Sequence, residues 1–135
     1  VKKPILLVNS DFITPKKLLI AYNGSEKSKN FLIERSKNPI FKNIIRDIIN
    51  VNNDKTLSKK LLDEAKEIYA KQEIYVETNV LSGDVRSEIL IHLGQNDCDI
   101  LAMGAFGHSR IKEFIFGSLT SEILDYCKKP ILLFK

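Results

Sequence analysis

From Leu18 onward, short apolar runs of strand length alternate with stretches whose apolar residues recur every three or four positions. Leu18 to Asn23 (LLIAYN) is continuous and closes on Asn-Gly, the pattern of a buried strand that ends in a turn. Ser25 to about Lys37 follows as a helix with Phe31 and Leu32 facing a core. Ile44 to Val51 is a second strand, and Arg46 and Asp47 within it predict incomplete burial. Between Asp54 and Lys71 the residues Leu57, Leu61, Leu62, Ala65, Ile68 and Tyr69 form one apolar stripe, which predicts an amphipathic helix. Ile74, Val76, Thr78 and Val80 alternate with Tyr75, Glu77 and Asn79, so the third strand has one wet face and belongs near a sheet edge. Gly83 ends it. Asp84 can cap a helix with Val85, Ile89 and Leu93 inward. Ile100 to Met103 is a fourth strand, Leu119, Ile123, Leu124 and Cys127 mark a last helix, and Ile131 to Phe134 a last strand.

Strand and helix alternate four times before the final strand, which predicts an α/β fold: a parallel sheet sandwiched between two helical layers, with right-handed crossovers. The first and fourth strands, numbered from Leu18, carry the least polar sequences and belong at the centre. That favours a five-stranded order of 3-2-1-4-5. In this order the winding reverses between strands 1 and 4, and ligands of open parallel sheets bind at the carboxyl ends beside such a point. Those ends are Asn23-Gly24-Ser25 and Gly104-Ala105-Phe106-Gly107.

The chain starts on a near-copy of its own end. Lys2 to Leu7 (KKPILL) is identical to Lys128 to Leu133, an offset of 126 positions, or one domain length. The expectation is that Val1 to Val8 is the last strand of a preceding similar domain and Asn9 to Lys17 a linker, so that 1–17 precede a domain of residues 18–135. An N-terminal strand of this domain alone is the alternative. Ile131 to Phe134 would otherwise be an apolar sheet edge of the kind proteins cover, and Pro4 to Val8 could cover it within one chain or between two copies.

Composition narrows the field. With 135 residues, 44% hydrophobic and 28% charged, the chain can build a full core, so wholesale disorder is excluded. No apolar run approaches the roughly 18 residues of a membrane span, and the start lacks a signal-peptide pattern, so the expectation is a cytoplasmic protein without membrane contact. A net charge of +4, with its basic excess in the first half of the chain, is too mild to argue for nucleic acid. Cys98 and Cys127 lack metal-ligand spacing and read as reduced core residues.

The chemistry concentrates after strand 4. Gly104 and Gly107 let backbone N–H groups approach an anion, and Gly117-Ser118 opens a helix whose first turn aims unpaired N–H donors outward. No GxxxxGK[ST] and no GxGxxG occurs; the pattern present is G-x2-G-x9-G-S across Gly104, Gly107, Gly117 and Ser118. Each residue keeps a plainer reading: Gly24 can serve only a turn, Asn23 only a helix cap, Gly104 and Gly107 only a tight loop. His108, Arg110 and Lys112 either reach a phosphate or stand in solvent. His92 lies away from the crevice and reads as structural. No carboxylate stands directly at the end of strand 4 and no base is evident for activating water, so at most slow hydrolysis is expected.

Together with LLIAYNGSEKS and KKPILLFK, the glycine series resembles the nucleotide-binding branch of the universal stress protein family over Leu18 to Lys135. The resemblance implies an adenine nucleotide alpha hydrolase-like fold and an adenine nucleotide, ATP or else ADP or AMP, in the crevice, with Mg2+ where the phosphates bring it. By the same resemblance Val51 would present backbone to the adenine edge, Gly83 would close the near wall, and Gly104 would lie along the ribose and nearest phosphate. Gly107, Gly117 and Ser118 would hold the phosphate chain. ATP-binding members typically carry Asp where this chain has Asn23. Asn keeps a carbonyl acceptor and adds an amide donor, so a hydrogen bond to the adenosine can survive without the charge. The resemblance further implies pairing through Ile131, Leu132, Leu133 and Phe134, as a homodimer or as two domains of one chain, and a regulatory rather than catalytic output. A pairing module without nucleotide and a slow ATPase are the two rivals.

Overall fold

The two least polar runs, Leu18–Ala21 and Ile100–Met103, lie side by side at the middle of a sheet, with residues at 0 to 8% exposure. In the computed structural model, residues 5–8, 14–36, 43–104 and 118–134 are described. The order is β1 (Ile5–Leu7), β2 (Lys17–Ala21), α1 (Glu26–Ser36), β3 (Ile45–Val51), α2 (Lys55–Ala70), β4 (Glu77–Leu81), α3 (Val85–Gln95), β5 (Ile100–Gly104), α4 (Ser118–Tyr126) and β6 (Ile131–Phe134). One six-stranded sheet runs β1-β6-β5-β2-β3-β4. Taken from β4, its five parallel strands have the neighbours expected for 3-2-1-4-5, and β4 is an edge strand. The difference lies in β1, which joins the same sheet as an antiparallel sixth strand on β6.

Alternation along β2 builds two cores. Leu18, Ile20 and Tyr22 face α1 and α2, where Phe31, Leu32, Leu62, Ala65 and Tyr69 close over them. Leu19 and Ala21 face the other layer with Ile89, Leu93, Met103 and Ile123. Phe31 and Phe134 stack at 4.3 Å between ring centroids, tying α1 to β6. Cys98 and Cys127 are buried and reduced. Burial pushes the Cys98 thiol up to about 11, so it stays protonated at neutral pH.

Three expectations change. Arg46 and Asp47, read as marks of partial burial, are 3% and 0% exposed. Successive residues of a strand point to opposite layers, and each layer supplies a partner. The Arg46 guanidinium lies 5.2 Å from the centre of the Tyr69 ring of α2, and Asp47 bonds His92 Nε2 of α3 at 2.7 Å. Asn79 Nδ2, half-buried on β4, donates to the other Asp47 oxygen at 2.9 Å, which completes a polar trio. Second, β4 begins at Glu77, opposite Asp47, rather than at Ile74; the chain first turns through 71–73, with Glu73 at φ 60°. Third, Leu57 of the apolar stripe is 42% exposed, because it sits in the first turn of α2, beside the Asp54 cap.

Candidate functional site

At the carboxyl end of the sheet, β2 and β3 part. The last rung between them is Tyr22 N–H donating to Ile49 O at 2.9 Å. In a parallel ladder the next β3 carbonyl on that side belongs to Val51, beyond Ala21, the last paired residue of β2. Asn50 bridges the widening gap. Its Nδ2 donates to Tyr22 O at 2.8 Å, and its Oδ1 accepts from Ser58 Oγ of α2 at 2.8 Å. The Tyr22 hydroxyl donates to Glu64 Oε1 at 2.7 Å, with Lys29 Nζ 3.4 Å from that carboxylate. Burial, then the Glu64 hydrogen bond, raise the phenol above its ordinary range.

Beyond Tyr22 the chain turns into α1. Asn23 Oδ1 accepts from Ser25 N–H at 3.0 Å and from Ser28 Oγ at 2.9 Å, while Ser25 Oγ accepts from Ser28 N–H at 3.2 Å. Two side chains thus satisfy the helix start. Gly24 sits between them at φ +77°, and a Cβ there would stand 2.5 Å from Leu61 Cδ2 of α2. Its backbone conformation and its neighbour each explain the glycine. Gly24→Ala is expected to lower stability by about 1–3 kcal/mol, from strain plus crowding. Urea unfolding checks this, and an unchanged midpoint would contradict the packing described.

The parted strand ends floor a cavity of about 270 Å³. Ala21, Ile49 and Val51 of the strands, Val85 and Ile89 of α3 and Leu119 of α4 give it apolar walls, and Asn23 and Asn50 bring amides to it. Its volume approaches the roughly 300–1,000 Å³ usual for small-molecule sites. Apolar walls with a strand carbonyl and amides at the edge suit a flat heterocycle: its faces pack, its rim hydrogen-bonds. A larger hollow of about 510 Å³ has its described lining, Lys55, Thr56, Lys59, Lys60 and Asp63, on α2.

Among the residues singled out from the sequence, Asn23 and Val51 line this cavity. Gly24 belongs to the adjoining turn. Gly83, at φ +116°, donates its N–H to Asn53 Oδ1 at 3.2 Å and precedes Asp84, which caps α3 by accepting from Ser87 N–H at 3.0 Å. That makes it a turn glycine outside the cavity lining. Gly104 ends β5 against Phe134, where a Cβ would make an ordinary 3.4 Å contact. Ser118 is the exposed first residue of α4, next to Leu119 in the wall. Gly107, His108, Arg110 and Gly117 lie outside the described residues. Sequence reasoning missed Asn50, Val85, Ile89 and Leu119 as wall residues. Asn50, a polar residue ending an apolar strand, was the available signal.

A family model described as the universal stress protein family matches residues 49–135. The universal stress protein Slr1230 of Synechocystis sp. is 29% identical over 137 residues, covering 100% of this chain and 48% of that protein. A solved universal stress protein of Archaeoglobus fulgidus superposes with a TM-score of 0.77 at 20% identity, over 96% of this chain and 48% of the other. Another, described as a universal stress protein in complex with cAMP, gives 0.72 at 18% identity over 88% and 95%. At these identities the structural likeness speaks for the fold. The chain spans about half the length of the relatives it matches in sequence. With the family model covering well over half of its residues, the chain belongs to the universal stress protein family.

Proposed function

We propose that this domain binds an adenine nucleotide, ATP or its di- or monophosphate, and works as a cytoplasmic stress-response regulator through a change of conformation or assembly. The observation that carries this is the apolar cavity where β2 and β3 part, with Val51 in its lining. In this reading the base enters between Val51 and the α3–α4 wall, and the ribose and phosphates run toward Gly104, Gly107, Gly117 and Ser118, with His108 and Arg110 beside them. Glycine amides and the start of α4 suit a phosphate chain. The described residues hold no cluster of metal-ligating side chains, so Mg2+ would ride on the phosphate oxygens. None of the described lining residues carries a carboxylate, imidazole or thiol, which supports binding over turnover. No described helix is long and apolar enough to cross a membrane.

One observation favours the rival reading, a pairing module without nucleotide: Asn23 Oδ1 is already engaged by the α1 turn. Denaturing the purified protein and chromatographing what it releases separates the two. Release of adenine nucleotide in near-stoichiometric amount is expected; an empty protein supports the module. Released ADP together with steady phosphate production supports a slow ATPase.

For assembly, we propose that the β6 edge is where a second similar domain pairs, and that residues 1–17 are the last strand and linker of such a domain. The two identical Ile-Leu-Leu triplets pair antiparallel about Leu6 and Leu132, with Ile5 opposite Leu133 and Leu7 opposite Ile131. Identical segments in this register have local two-fold symmetry, as two copies of β6 would. Deleting residues 1–8 is expected to convert a monomer into a concentration-dependent dimer by baring β6. Sedimentation equilibrium reads it, and a truncated chain that stays monomeric counts against the proposal.

A further inference from the structure

We infer that α2 sets the opening of the cavity from behind the sheet, through Ser58 and Asn50, although none of the described lining residues belongs to that helix. On the nucleotide reading above, this makes Ser58 and Asn50 positioning residues for the base. In a regular parallel ladder the rung after Tyr22 N–H to Ile49 O would run from Val51 N–H to Tyr22 O. That rung is not made. The paired register stops at Ala21 and Ile49, and Tyr22 O takes Asn50 Nδ2 at 2.8 Å instead. A side chain thus stands where a backbone N–H would have drawn the two strands together.

Side chains alternate along β3. Ile49 and Val51 pack in the α3 layer, so Asn50 points to the α2 layer, where its Oδ1 accepts from Ser58 Oγ at 2.8 Å. Tyr22 O can only accept, so the Asn50 atom facing it is the nitrogen, which leaves the oxygen to Ser58. Ser58 is 0% exposed and Asn50 7%, so this contact is closed to bulk water. The same helix holds Tyr22 a second time, because the Tyr22 hydroxyl donates to Glu64 Oε1 at 2.7 Å. Glu64 lies six residues beyond Ser58, about 9 Å along the helix axis. One helix therefore grips both the backbone and the ring end of the residue where the strands part. Without the Ser58 hydroxyl, the Asn50 oxygen is left buried and unpartnered, its amide is free to leave Tyr22 O, and the spacing of β2 and β3 must be ordered anew when a ligand enters.

Ser58→Ala tests this against Ala65→Gly, a second buried change in α2 that loosens the helix without touching Asn50. The readouts are methyl NMR spectra of the ligand-free protein and calorimetric titration with adenosine, with thermal melting alongside. In Ser58→Ala the Val51 and Ile89 methyl resonances, on the α3 side of the sheet, are expected to shift, and adenosine to bind about tenfold more weakly, the scale of one lost hydrogen bond. Asn50→Ala, which removes the bridge itself, is expected to give the same two changes. Ala65→Gly is expected to melt lower with both readouts near the wild type's. Equal weakening of adenosine in Ser58→Ala and Ala65→Gly would show a general loosening of α2 and overturn the inference. So would wild-type methyl positions, or wild-type affinity, in Ser58→Ala and Asn50→Ala. If the wild type does not bind adenosine and the methyls still shift, the nucleotide reading falls while the link from α2 to the cavity stands.

Discussion

His92→Leu is expected to lower the unfolding free energy by about 1–3 kcal/mol, the usual cost of leaving a buried polar group without its hydrogen-bond partner. Asp47 is 0% exposed and His92 8%, with 2.7 Å between Oδ2 and Nε2. Without the imidazole, one Asp47 oxygen keeps the Asn79 amide and the other faces the apolar side chains of the α3 layer. Water cannot replace the lost partner without opening α3 from β3. The second arm of the experiment removes both polar groups, Asp47→Leu with His92→Leu, and is expected to recover much of the loss, because the buried Asp47–His92 bond then leaves neither partner behind. Urea denaturation of both variants measures it. A loss below about 1 kcal/mol in the single variant would mean that the pair is hydrated or already loose. The consequence reaches the cavity, because α3 carries Val85 and Ile89 into its wall. Nucleotide affinity is expected to fall in the single variant and return in the double one.

The largest functional effect is expected from Gly117→Val. Ser118 is the first residue of α4, so position 117 immediately precedes the helix start, where unpaired N–H groups are available to an anion. In the proposed mode, phosphate oxygens must approach that backbone closely, and a β-branched side chain there takes the same space. Retention of nucleotide through purification is expected to vanish. The melting temperature should stay within about 4 °C of wild type, about what a 1 kcal/mol change produces at this size. ATP affinity equal to the wild type's would falsify the phosphate site while leaving the base cavity to be tested separately by adenosine. Adenosine is therefore the control: its affinity is expected to change little, since it carries no phosphate.

The elements were legible where burial is one-sided or complete. Leu18–Ala21, Ile100–Met103 and Ile131–Phe134 are continuous apolar runs, the composition that packing on both faces favours. The α2 stripe was legible because a helix packed on one side repeats with its turn, although Leu57 shows that the stripe predicts a face rather than each residue's exposure. Arg46 and Asp47 were misread for a physical reason. A charged residue inside a strand signals exposure only if nothing across the layer pairs with it, and Tyr69 and His92 come from distant helices. Likewise Gly24 and Gly83 stood out as glycines near strand ends, but their positive φ and their neighbours Leu61 and Glu88 assign them to turns.

The order of apolar and polar residues by itself determined the alternation of strands and helices, the central place of β2 and β5, and the end of the sheet at which a ligand crevice would open. These are consequences of local period and of how much apolar surface each segment must hide. Tertiary structure alone decided that Asp47 could be buried, that β1 would cover β6 within the chain, and that Asn23 would spend its oxygen on the α1 turn. Each of these depends on which partner reaches a polar group in space, and a hydrogen bond between distant residues leaves no period along the sequence.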